Sequence, residues 1–150
     1  MSRIRLLTVA IVVLQAATVI AVQAGKKPSF SGTWIIQPPN KAAGTEQVLK
    51  QDDKTLSITS DGRTRTYELN GVERREAAST RVGEVVMVAK AAWEGQAIII
   101  TTTTSYPNDM KTVEKEIWSI DNQGQLVLDF TETAPGSPPR IVKVTHKKKS

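Results

Sequence analysis

Glu114 and Glu116 are the pair best spaced in this sequence for acid–base chemistry. On an extended chain they share one face, and two carboxyls in one site push their proton affinities apart, as a general acid and a general base require. The same spacing on a wet strand, with Lys111 and Lys115 beside it, makes a solvated face. That is the plainer reading, because a buried carboxylate without partners is costly.

Arg65 and Tyr67 form a second set. They alternate in phase with Leu69, so both point inward if Leu69 does, and an arginine near a barrel mouth can grip a carboxylate or an acidic headgroup. Alternatively, Arg63 and Arg65 simply flank an exposed Asp61-Gly62 turn. Thr101 to Thr104, Thr102 among them, either line a polar cavity or satisfy strand propensity. Trp93 and Trp118 fall on apolar strand faces, where core packing is the ordinary role and a stacking floor for a ligand the special one.

The remaining chemistry is sparse. His146 is the sole histidine and sits beside Lys147, Lys148 and Lys149, so it reads as an exposed bystander with no second histidine to share a metal. The chain has no cysteine, and no Gly-x-Ser-x-Gly elbow, phosphate loop or zinc spacing is present. No catalytic residue, cofactor or metal is expected.

These side chains must be positioned by strands. Leu56 and Ile58 alternate with Thr55, Ser57 and Thr59; Val85, Met87, Ala89, Ala91 and Trp93 share a face; Glu114, Glu116, Trp118 and Ile120 share another. Asp61-Gly62 and Asn70-Gly71 are hairpin-type turns, and Glu94-Gly95 and Asn122-Gln123-Gly124 also reverse the chain. No helix-period segment intervenes between Phe30 and His146. The pattern predicts an all-β fold, an up-and-down antiparallel meander of about eight to ten strands closed into a barrel, because short-linked strands pair with their neighbours and closure removes their edges.

Composition bounds the rest. The 150 residues hold 20 Lys and Arg against 15 Asp and Glu. A basic start, an apolar run from Leu6 to Val22 and the small residues Ala21-Val22-Gln23-Ala24 predict a signal peptide over residues 1–24, cleaved after Ala24, with an uncleaved anchor as the alternative. Its removal takes Arg3 and Arg5 and leaves 18 basic against 15 acidic residues, a net charge of +3 and no nucleic-acid signature. One domain over residues 25–150, periplasmic or secreted and monomeric, is expected; a cysteine-free exported chain suits a bacterial periplasm. Lys147, Lys148 and Lys149 read as a solvated tail, or as a weak contact to an anionic envelope surface.

Gly32-Thr33-Trp34, in the run Phe30-Ser31-Gly32-Thr33-Trp34, resembles the opening Gly-x-Trp strand of lipocalin-like, calycin-type barrels. Trp93-Glu94-Gly95 and Glu114-Lys115-Glu116-Ile117-Trp118 resemble motifs of exported bacterial proteins of that lipocalin-like kind. The resemblance implies a barrel whose motif tryptophan, Trp34, closes the base and is covered by an arginine from the last strand, here Arg140. Gly32, Trp34 and Arg140 are then closure residues.

The expected function is a non-enzymatic exported binding protein holding a small, mainly apolar or amphiphilic ligand with a polar or acidic end. Arg65, Tyr67, Trp93, Thr102 and Trp118 are its candidate contacts. The alternatives are an envelope interaction module with a solid interior and, third, an enzyme using Glu114 and Glu116.

Overall fold

The computed structural model describes residues 26–81 and 83–150, so the leader expected over 1–24 lies outside the described residues. The alternating segments form ten strands: β1 (Gly32–Ile36), β2 (Glu46–Gln51), β3 (Thr55–Ser60), β4 (Arg63–Glu68), β5 (Arg74–Thr80), β6 (Gly83–Glu94), β7 (Ala97–Ser105), β8 (Lys111–Ile120), β9 (Leu126–Thr133) and β10 (Arg140–Lys148). Apart from a short 3-10 turn at Pro107–Asp109, the described chain is strand and loop. All ten lie in one antiparallel sheet in the order β4-β3-β2-β1-β10-β9-β8-β7-β6-β5. The sheet is a strongly curled meander.

The first and last strands pair, Trp34 opposite Lys148 and Ile36 opposite His146, as closure against the opening strand requires. The break in the ladder falls elsewhere. β4 and β5 are consecutive in sequence, yet they are the two edges of the sheet. Asn70-Gly71 therefore does not make the hairpin that its composition predicts. Asn70 bridges to Ala92 and the Gly71 N–H donates to the Ala91 carbonyl at 2.9 Å, so β6 captures the link before β5 can fold back on β4. By contrast Asp61 and Gly62, at φ 50° and 74°, turn β3 into β4 as a hairpin.

Period-two alternation sorts the side chains into an inner and an outer face. Trp34, Leu49, Ile58, Ile98, Ile100, Trp118 and Leu126 are all buried on the inner face, where Leu49 lies opposite Ile58 and Ile98 opposite Trp118. These residues pack one end of the curl solid. Phe30, just before β1, is fully buried there; its carbonyl accepts from Trp34 Nε1 at 2.8 Å and its ring stacks on Trp93 at 5.5 Å. Gly32 holds φ +145°, and a Cβ there would meet Lys148 Cε at 2.8 Å. That φ favours glycine, and a Cβ would have to displace the end of the Lys148 side chain.

Three sequence expectations change here. Lys148 Nζ, not Arg140, lies over the Trp34 ring, 5.5 Å from its centroid. Arg140 is at the opposite end of β10, over Phe130 at 5.9 Å and 3.4 Å from Glu132. The reason is register: β10 runs antiparallel to β1, so its C-terminal residues meet Trp34. The lysine run is accordingly no solvated tail, since Lys147 and Lys148 belong to β10 and the Lys149 N–H donates to the Thr33 carbonyl at 2.8 Å. His146 is fully buried, on the inner face of the same strand, because it stands two residues from Val144 in the alternation.

Candidate functional site

β4 carries Arg65 and Tyr67 on its inner face, opposite Ile58 and Leu56 of β3. The Arg65 guanidinium crosses the interior to β8 and donates from Nη1 to Glu116 Oε1 at 2.9 Å. Trp118 Nε1 donates to the other Glu116 oxygen at 2.8 Å. Glu116 is only 4% exposed, whereas the Arg65 side chain is 52% exposed, so the arginine brings a solvent-facing charge down onto a buried one. The solvated face expected for Glu114 and Glu116 is thus corrected. Inner-face phase puts Glu116 among core residues, and a cation 51 positions earlier in the chain compensates it.

Tyr67 lies beside this pair, with the Arg65 guanidinium carbon 5.8 Å from its ring centroid. Burial pushes the Tyr67 phenol up; Arg65 opposes the shift, while Glu116 and Glu114 add to it. Glu114, half-buried and two residues from Glu116 on the same face, also titrates above the ordinary carboxyl range. Burial is the main cause, followed by the negative charges of Glu116 and Glu132, with Arg65 opposing.

The unpaired edges of β4 and β5 leave a cleft of about 380 Å³, within the usual span of small-molecule sites. Arg65, Tyr67 and Glu68 line one wall, and Arg74 and Glu76 of β5 the other. Met87, Ala89 and Ala91 of β6 make an apolar floor. At its narrow end Arg74 approaches Glu68 to 3.9 Å, and the same guanidinium lies 3.8 Å from Glu76. These exposed contacts are long and contribute little to stability.

No family model matches the chain, and no curated protein sequence matches it. The structure is similar to the crystal structure of secretory abundant heat soluble protein 4 from Ramazzottius varieornatus, with a TM-score of 0.43 and 14% identity over 80% of this chain and 94% of that one. The fold assignment rests on the strand register itself.

Of the expected ligand contacts, the cleft brings together Arg65 and Tyr67. Trp118 is fully buried in the core, where it orients Glu116. Trp93 stacks on Phe30 at the packed end, beneath Lys27 Nζ at 5.0 Å. Thr102 faces inward between Ala89 and Glu114 and is not a lining residue of the cleft. Met87, Ala89 and Arg74 are lining residues that sequence reasoning did not single out. The alternation of β6 marked its floor, but nothing local marks β5 as the far wall.

Among the described residues no His, Cys, Asp and Glu side chains group as a metal site. His146 stands apart from the cleft: its Nδ1 lies 3.1 Å from the Leu126 carbonyl and its ring 5.9 Å from that of Trp118. A carbonyl only accepts, so Nδ1 carries the proton. Nε2 is buried with no hydrogen-bond partner among the described residues, and burial holds the imidazole below its ordinary pKa.

Proposed function

We propose that the protein is an exported, non-enzymatic binding protein of the lipocalin-like kind, a monomer whose site is the cleft between β4 and β5. The ligand is a small amphiphile, its apolar part on Met87 and Ala89 and its acidic end toward Arg65 and Arg74. The observation that carries this reading is the cleft itself, an apolar floor beneath walls bearing guanidinium groups. The occupied state of Glu116 supports a structural role over proton transfer, because each of its oxygens already accepts a hydrogen bond.

The test is titration with a fluorescent fatty acid, 11-(dansylamino)undecanoate. Saturable binding is expected, and Met87→Trp or Ala89→Trp, which fill the floor without touching Arg65, should abolish it while the melting temperature holds. Absence of saturable binding, or binding indifferent to both substitutions, defeats the proposal.

A second reading is an envelope interaction module. It is favoured by β5, all seven residues of which are exposed and whose outer edge has no strand partner among the described residues. A reproducible cross-link from β5 to one envelope protein, with the cleft empty of amphiphile, would select it.

A further inference from the structure

The cleft between β4 and β5 carries charges of both signs. Arg65, Arg74 and Lys90 line it, and so do Glu68, Glu73 and Glu76. Arg65 is already committed to Glu116, which lies outside the lining, so the remaining charges are two cations against three carboxylates. A ligand that bears only an anion is drawn to a guanidinium here and repelled by the carboxylates next to it. Neutralising its charge with an ammonium of its own removes that conflict.

The placement of these charges is specific. Arg74 and Glu76 share one face of β5, opposite Ala89 and Met87, so each charge stands directly beside a residue of the apolar floor. Two residues of strand set their backbones roughly 6 to 7 Å apart. Their side chains approach to 3.8 Å and are 65% and 69% exposed, which makes them a solvent-facing dipole along the wall. A molecule with an anion and an ammonium on neighbouring groups pairs with this dipole head to tail and brings no net charge into the cleft. Met87 and Val72, 43% and 64% exposed, extend the apolar surface beside it for an acyl chain.

We infer that the ligand of this cleft is a single-chain amphiphile with a zwitterionic head of the phosphoethanolamine type, its phosphate toward Arg65 and Arg74 and its ammonium toward Glu76. This rests on the reading of the cleft as an amphiphile site and adds the class of headgroup that the site takes. One exposed ion pair is worth roughly a twofold to fivefold change in affinity, and that is the preference the ammonium supplies.

The experiment is displacement of 11-(dansylamino)undecanoate from the full chain at neutral pH by two lysolipids with the same dodecanoyl chain, below their micelle-forming concentrations. Lysophosphatidylethanolamine and lysophosphatidic acid then differ only in the ethanolamine group. The former is expected to displace the probe at a concentration roughly two to five times lower. Glu76→Gln, at an exposed position, should erase that difference while displacement by lysophosphatidic acid persists. Glu84→Gln, on β6 and outside the lining, should keep the difference. Glycerophosphoethanolamine, which has the head and no chain, should not compete. If the probe binds saturably but the two lysolipids compete equally, or the difference survives in Glu76→Gln, the inference falls and the amphiphile site stands. Competition by the chainless head as strong as by the lysolipid would overturn the inference in favour of a soluble zwitterion, and absence of saturable probe binding would overturn the site and the inference together.

Discussion

Arg65 on β4 and Glu116 on β8 meet at 2.9 Å across the interior, although each strand pairs with other neighbours. A sheet edge is thereby tied to the middle of the sheet. The pair is asymmetric, with Glu116 buried and Arg65 half-exposed, so removing the arginine strands a charge whereas removing the glutamate does not.

Arg65→Met is accordingly expected to cost about 1 to 3 kcal/mol, between the values for exposed and for fully buried pairs. Glu116→Gln should cost less, since the amide oxygen still accepts from Trp118. The double variant should be more stable than the sum of the two single losses predicts. Urea unfolding of the four proteins measures this, and simple additivity would mean that the contact contributes nothing.

His146 should make the protein acid-sensitive. Its folded pKa lies below the ordinary 6.5, so as pH falls through that value the unfolded chain takes up a proton that the folded chain refuses. Stability from this residue is present above 6.5 and is lost on acidification toward the lower folded value. The drop in urea midpoint between about pH 7 and pH 5 should shrink in His146→Gln.

Glu114 has the opposite sign. Its folded pKa is raised above 4.5, so the folded state favours the protonated acid, and its contribution is lost as pH rises through the carboxyl range. At neutral pH ionised Glu114 is a net cost. Glu114→Gln should therefore raise the melting temperature at about pH 7 and leave it nearly unchanged at about pH 4; equal shifts at both would refute a charge-based cause.

At the packed end, Trp34→Ala should cost about 3 to 5 kcal/mol, as for other buried aromatics. Trp34→Phe leaves the Phe30 carbonyl without its donor and should cost about 1 to 3 kcal/mol. Lys148→Ala should cost about 0.5 to 1 kcal/mol through the lost cation–ring contact. Arg140→Ala, on the exposed far end, should stay within about 0.5 kcal/mol of the parent. A larger loss at Arg140 than at Lys148 would reverse the assignment of the covering cation.

The sequence by itself determined the all-β class, the meander and the inward faces of the apolar strands, but not the burial of Glu116 and His146. Those properties are local: alternation at period two names a face, and Asp61-Gly62 names a hairpin wherever the strand sits. It also marked Arg65 and Tyr67 as sharing the inner face with Leu69. Only the tertiary structure decided what that face meets. Glu116 and Arg65 come together because the sheet curls until β4 approaches β6, and curvature summed over ten strands is not written in any one of them. The position of the break was equally hidden, since Asn70-Gly71 has the composition of a hairpin and loses that role to bonds from Ala91 and Ala92. Register settled the choice between Arg140 and Lys148 over Trp34. Both residues lie on β10, and antiparallel pairing with β1 brings the later one to the tryptophan.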